Sequence, residues 1–310
     1  MITLLFIYIV NAYLHTKVGV VDVGSTGTRL NIYFYRDNRI IGTYNYENMP
    51  GLSTLGDTET KNKLIDLFER AEREIKDIKN IPVGIYCTAG FREMDSETSK
   101  HKLELIESSL KDYNIKEVKI LSGEEEGLLA YLSLQSTMHK SSTMHKSNIH
   151  ANYALVDMGG KSVQVIYKDN NKIKSSSYFL GHKEGEFVLK DCKSLALCEH
   201  PLIEKLAVVV PEKDLNKKKI YLSSFFYDVI SKDTEKESLS LVDLMDIFKK
   251  KCNGFKSQHC KDLFYLVAFL FKLGVDEDKI VHLLGFIDGL RFNWTIAKST
   301  DILNKVKYHY

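Results

Sequence analysis

The chain has no excess of either charge: 43 basic and 41 acidic side chains in 310 residues leave a net charge of +2. That balance removes any general electrostatic pull towards nucleic acid or an anionic membrane. The short lysine runs at 217–219 and 249–251 read as solvated helix ends or loops. No Cys-x-x-Cys pair and no His-rich ligand spacing is present, so the usual marks of a zinc site are missing. The apolar stretch at the start, MITLLFIYIVNAYL, falls short of the roughly 20 residues that a bilayer-spanning helix needs.

That stretch fits the hydrophobic region of a secretory signal, with Ala12 as a small residue near a cleavage point. It lacks the Lys or Arg that normally precedes such a region. A buried first strand is the alternative, although the strand carrying Asp22 already begins at Val18. The expectation is a signal over 1–16 and a protein secreted or held in the lumen of the secretory pathway. An N-terminal membrane anchor is the less favoured alternative, and no transmembrane helix is expected in the mature chain. In an oxidising compartment the five cysteines become informative. Cys192 and Cys198 lie six apart in one polar segment, Cys252 and Cys260 eight apart in another. Disulfides Cys192–Cys198 and Cys252–Cys260 are therefore expected, with Cys87, in the apolar run VGIYCTAG, a buried free thiol.

What is present is a duplication. VVDVGSTGTRL, residues 20–30, reads as a strand ending on Asp22, a glycine loop and a second strand. A single loop of this kind is most simply a hairpin turn. From Tyr153 the same order returns: strand YALVDM, loop GGK, strand SVQVIY, turn KDNNK and a third extended run. Asp157 matches Asp22, 135 residues later, so the repeated unit is domain-sized. Between the copies, Leu64, Leu67, Phe68, Ala71, Ile75 and Ile78 fall on one helical face. Strands and helices then alternate, which makes the class α/β, and the length suffices for two domains. The polar tandem STMHKSSTMHKS, 136–147, reads as a surface loop in which His139 and His145 are solvated.

Two matched loops carry chemistry that one does not. Successive backbone N–H groups in a glycine turn form a nest for anions, and Ser or Thr hydroxyls add donors. A carboxylate at each strand end offers hard oxygen to Mg²⁺ or Ca²⁺, often through water. GGKS at 159–162 is not a P-loop: Leu155 stands where the first Walker glycine belongs, and the following SVQVIY alternates as a strand. In SGEEEG, 122–127, Ser122 and Glu125 suit a capping box, which leaves Glu126 available as a general base. In TAGFR, 88–92, Thr88 could reach a phosphate or a metal-bound water, and Arg92 could pair with phosphate.

Together these segments resemble the nucleoside triphosphate diphosphohydrolases, the apyrase and guanosine-diphosphatase family of the actin–hexokinase superfamily. VVDVGSTGTRLNIYFY, IYCTAGFREM, ILSGEEEGLLAYL and ALVDMGGKSVQVIY are similar to the first four signature regions, and FNWTIAKSTDIL weakly to the fifth. PGLST and FLGHKEGEF resemble linking segments. The resemblance implies two ribonuclease-H-like domains with the active site in the cleft between them: 17–123 plus 286–310, and 124–285. It implies hydrolysis of nucleoside tri- and/or diphosphates by direct attack of water. Asp22 and Asp157 would hold Ca²⁺ or Mg²⁺ through water. Ser25, Thr26, Gly27, Thr28, Thr88, Arg92, Gly159, Gly160 and Lys161 would contact phosphates. Glu126 would be the base, with Ser162 and Gln164 positioning the water.

The departures are Lys161 in place of a small residue, Tyr131 in place of a tryptophan, a missing fifth-region glycine and a short second domain. Phe226 and Tyr227 are candidates for stacking on the base. An exopolyphosphatase-like phosphohydrolase and a non-catalytic nucleotide-binding relative are the alternatives.

Overall fold

The computed structural model describes residues 15–140, 152–252, 255 and 257–307. The expected signal thus lies almost wholly outside the described residues. β1 (Thr16–Val23) begins two residues earlier than expected from the sequence, because Thr16 still pairs with Tyr35. The chain falls into two compact units: the described parts of Met1–Leu121 with Thr295–Tyr310, and Ser122–Trp294.

In the first unit β1 runs antiparallel to β2 (Thr28–Arg36), which pairs antiparallel with β3 (Arg39–Asn48). Asp37 and Asn38 turn the second hairpin at positive φ, a conformation these two residue types tolerate. α1 (Asp57–Glu74) buries Leu64, Leu67, Phe68 and Ala71, the face its periodicity marks. β4 (Val83–Cys87) is buried along its whole length and lies parallel to β1. α2 (Ala89–Arg92) and α3 (Ser96–Ser109) follow, the latter capped by Asp95 on Thr98 N–H. β5 (Ile115–Ile120) completes a five-stranded sheet of order β3-β2-β1-β4-β5.

The second unit opens with α4 (Gly123–Lys140) and repeats the hairpins in β6 (Tyr153–Met158), β7 (Val163–Asp169) and β8 (Lys172–Tyr178). Asn170 and Asn171 take the positive-φ turn. Then come α5 (His182–Val188), α6 (Leu195–Lys205), β9 (Lys219–Ser224), α7 (Phe225–Ile230), β10 (Ser238–Ser240), α8 (Leu241–Lys251) and α9 (Gln258–Leu273). β11 (Ile280–Leu284) and the short β12 (Phe286–Ile287) and β13 (Leu290–Arg291) close the unit. The six-stranded sheet has order β10-β11-β9-β6-β7-β8, with β9 parallel to β6 and β11 parallel to β9. Without the edge strand β10 this is the order of the first sheet. α10 (Thr295–Lys307) belongs to the first unit, where Tyr33 and Tyr35 bond to Thr295 and Ser299.

Several expectations are corrected. Helix α4 continues through Lys140, so the start of the 136–147 segment is helical; the remainder lies outside the described residues. Residues 286–294 belong to the second unit, because the β12–β13 hairpin continues from β11 and Phe286 packs on Tyr227. Cys192 and Cys198 are free thiols, whereas Cys252–Cys260 is a disulfide with Cα atoms 5.6 Å apart. Both thiols lie in the hydrophobic core of the second unit, where a cysteine packs as a small apolar group without needing a covalent partner. Cys198 Sγ donates to Ser194 O at 2.9 Å, and burial with the neighbouring Cys192 thiol pushes its pKa up to about 12. Cys87 is buried and free. Among the described residues no helix is long and apolar enough to cross a membrane.

Candidate active site

In the second unit, strand register gathers the polar groups. Asp157 on β6 stands opposite Gln164 on β7 and Ser223 on β9. Residues in direct register project to the same face of a sheet, so three polar side chains share one patch of an otherwise apolar sheet. Ser223 Oγ donates to Asp157 Oδ1 at 2.7 Å. The carboxylate is 6% exposed, and burial holds its pKa above the ordinary value against the hydroxyls of Ser224 and Ser223. Ser224, which follows, has φ +57, a strained backbone for a residue with a side chain.

Gln164 Nε2 donates to Ser162 Oγ at 2.8 Å and to Ser177 Oγ at 3.4 Å, and approaches Glu126 Oε2 at 3.5 Å. Glu126 arrives from α4, whose first turn is fixed by a capping box: Ser122 N–H donates to Glu125 Oε2 at 3.0 Å, and Glu125 N–H to Ser122 Oγ at 3.1 Å. Gly123 and Gly127 lie one helical turn apart on the side that meets the sheet. A Cβ on the first would overlap Ser177, and one on the second would crowd Ser175 and Ile166. Glu126 shares that side by helical spacing. Glu125 therefore caps the helix while Glu126 turns to the polar patch.

The glycine loop itself is closed by Gly159 N–H donating to Ser162 O at 2.8 Å. Its outer carbonyls are all taken: Gly159 O, Gly160 O and Lys161 O accept from the amides of His182, Lys183 and Gly181 at the start of α5. In a trans peptide the N–H points opposite to the carbonyl. The amides of Gly160, Lys161 and Ser162 are thereby turned away from α5, as successive donors in a nest require.

The first unit carries the same loop. Gly24 N–H donates to Gly27 O at 2.9 Å, with Ser25 and Thr26 between them and the buried Thr28 starting β2. Asp22 is in register with Arg29, the position that Gln164 holds in the second copy, seven residues after its aspartate. Arg29 Nη1 lies 4.0 Å from Asp22 Oδ2, and Nη2 lies 2.6 Å from Glu47 Oε1. Thr88, just beyond β4, is buried and donates through its amide and its Oγ1 to Val23 O at 3.2 and 3.4 Å, which places it at the loop-bearing end of β1. Arg92 Nη1 donates to Leu121 O at 3.0 Å, so this arm of the guanidinium braces the end of β5.

Phe226 is corrected outright. It is fully buried in the core, 6.4 Å from Phe269, and offers no face to a base. Tyr227 is only half-buried and packs edge-on to Phe286 at 5.9 Å. Ser223, Ser177 and Arg29 were missed by sequence reasoning. The paired serines ending the apolar run IYLSS were the available signal for Ser223; the other two needed the register.

Neither aspartate has the company of a ready-made metal cage: among the described residues no group of three His, Cys, Asp or Glu could hold an ion. A carboxylate at the end of each loop-bearing strand, buried and bonded to a hydroxyl at Asp157 and half-buried at Asp22, fits a divalent ion bound chiefly through water and phosphate oxygens.

The two sheets share the order 3-2-1-4-5 once the edge strand β10 is set aside, each with its nest after the first strand, and this is the actin–hexokinase type of fold. Solved structures share this fold. A Ppx/GppA family member from Aquifex aeolicus has a TM-score of 0.64 at 15% identity, covering 96% of this chain and 100% of its own. Nucleoside triphosphate hydrolases from Neospora caninum give 0.63 at 12%, covering 99% and 96%. Residues 15–188, more than half of the chain, match the GDA1/CD39 (nucleoside phosphatase) family, and the chain belongs to that family. It is 31% identical over 205 residues to nucleoside-diphosphatase mig-23 of Caenorhabditis elegans, covering 53% of this chain and 37% of that protein. The chain spans about two fifths of the length of the first curated relatives it matches.

Proposed function

We propose that this protein hydrolyses nucleoside tri- and/or diphosphates to inorganic phosphate by direct, in-line attack of water on the terminal phosphorus. The observation that carries the reading is the cluster of Glu126, Gln164 and Ser162 beside the nest of residues 159–162. Ser162 and Gln164 would hold a water, and Glu126 would take its proton as the new P–O bond forms. The bond to the bridging oxygen breaks, and the shortened nucleotide leaves with that electron pair. Amides of the second nest, with Lys161, would bind phosphate oxygens; Ser25, Thr26, Gly27, Thr28 and Thr88 would serve the same chain from the first unit. Arg92, braced on Leu121, would add charge to that half. Divalent-metal dependence is general in the family; Ca²⁺ or Mg²⁺, held through water by Asp22 and Asp157, would neutralise phosphate charge. Tyr227 is the candidate for contact with the base. The Cys252–Cys260 disulfide supports secretion or residence in the secretory lumen.

The test is phosphate release from a panel of nucleoside tri- and diphosphates, with polyphosphate alongside, in Ca²⁺, Mg²⁺ or chelator. Metal-dependent release from a nucleotide, lost in both Asp22→Ala and Asp157→Ala, is expected. Release from polyphosphate alone would favour the exopolyphosphatase reading. Nucleotide binding with no release would favour a non-catalytic relative.

A further inference from the structure

Asp22 and Asp157 are matched in the sequence, but the structure supports them unequally, and the difference lies on the strand beside each. Asp22 has Tyr86 as its parallel neighbour on β4, and the Tyr86 hydroxyl donates to Glu117 Oε1 at 2.6 Å. Asp157 has Ser223 in that place on β9. Ser223 is fully buried, and its Oγ donates to Asp157 Oδ1 at 2.7 Å. A carboxylate anchored through one oxygen in this way is fixed in orientation, as groups behind a metal-binding residue commonly require.

Ser224 adds a second hydroxyl against the habit of a strand, in which successive side chains point to opposite faces. Ile220 and Leu222 enter the core of the second unit, and Ser223 takes the other face with Asp157. Regular alternation would send the Ser224 side chain back into that core. Instead the backbone turns at Ser224, with φ +57 and ψ −119, and α7 starts at the next residue. Ser224 stays half-buried. Burial raises the Asp157 pKa, and the Ser224 hydroxyl, with that of Ser223, opposes the rise. A sharp strand-to-helix turn presents a side chain above the end of a sheet, but positive φ carries a strain for serine that glycine would avoid. We propose that Ser223 and Ser224 are positioning residues that hold Asp157 in one orientation towards the water of a divalent ion, the strain at Ser224 being what the second hydroxyl requires. The proposal rests on the reading of Asp157 as a metal-holding residue.

Calorimetric titration of the purified full chain with Mn²⁺, in the presence of a non-hydrolysable imido analogue of a nucleoside triphosphate, tests it. Ser223→Ala and Ser224→Gly should each weaken Mn²⁺ by about 10–100-fold, the usual effect of removing a group behind a metal-binding residue. Ser224→Gly removes the hydroxyl and the strain together, so its melting temperature should rise while its Mn²⁺ affinity falls. Ser224→Ala keeps the strain and should lose affinity without that gain. A serine with a purely structural role would move stability and affinity in the same direction. Parent-like Mn²⁺ affinity in Ser223→Ala and Ser224→Gly, a Ser224→Gly in which affinity and melting temperature both fall, or a parent that binds no Mn²⁺ with the analogue would each overturn the proposal. Phosphate release is measured separately. If the parent releases none but the variants show the expected loss of Mn²⁺, the positioning role stands and the hydrolase reading alone fails.

Discussion

Gly181 lies so close to Gly160 that a Cβ on the former would overlap the carbonyl oxygen of the latter. Gly51 stands in the same relation to Gly24. Each glycine caps the short helix that follows the third strand of its unit, in extended backbone that any residue could adopt, so close approach and not φ demands glycine. Alanine at 181 should push α5 off the loop carbonyls and turn the amides of 160–162. Overpacking of this kind costs about 1–3 kcal/mol. Thermal unfolding should show that loss, and phosphate release should fall by more than the unfolded fraction explains. Full activity in Gly181→Ala would contradict the buttress.

Glu125 and Glu126 are neighbours with separable roles. Glu126→Gln should lower kcat by roughly 10²–10⁴-fold while nucleotide binding, followed by calorimetry, persists. Glu125→Gln keeps a hydrogen-bonding side chain at the cap but loses its charge, at a cost of about 0.5–1 kcal/mol and little activity. An inactive Glu125→Gln beside an active Glu126→Gln would reverse the assignment.

His282 gives a pH signature. Burial, with Lys219 and Lys279 nearby, lowers its pKa from 6.5 to about 4. The unfolded chain therefore takes up a proton at this residue below pH 6.5, whereas the folded chain resists until about 4. Stability from this group is intact above 6.5 and is lost as pH falls towards 4, with no further loss beyond. His282→Phe should flatten the melting temperature over that window relative to the parent. An unchanged slope would show that other groups set it.

Thiol counting separates the cysteines. Cys87, Cys192 and Cys198 are buried and free, so the native protein should resist alkylation. Denatured but unreduced protein should take up three equivalents, and reduced protein five. Only one equivalent before reduction would mean that Cys192 and Cys198 are bonded. Cys252→Ser/Cys260→Ser opens a short closed loop, for which chain entropy suggests a loss of about 2–3 kcal/mol by denaturant unfolding.

Much of the site is local, and local features were legible in the sequence. Strand, aspartate and glycine loop recur with their spacing, so both nests, both aspartates and the three-strand pattern could be placed without coordinates. The capping box is a four-residue pattern, and it separated Glu125 from Glu126 before any packing was known. Contacts distant along the chain were decided only by tertiary structure. Gln164 meets Glu126 across 38 residues, and Ser223 meets Asp157 across 66, because sheet order brings them together. Phe226 reads like its neighbour Tyr227 in sequence, yet one is sealed against Phe269 and the other is half-buried. Cys192–Cys198 and Cys252–Cys260 have similar spacings, but only the second pair is bonded. Spacing along a chain fixes which pairs can meet; the direction each side chain takes from its own backbone, and what packs around it, fixes which pairs do.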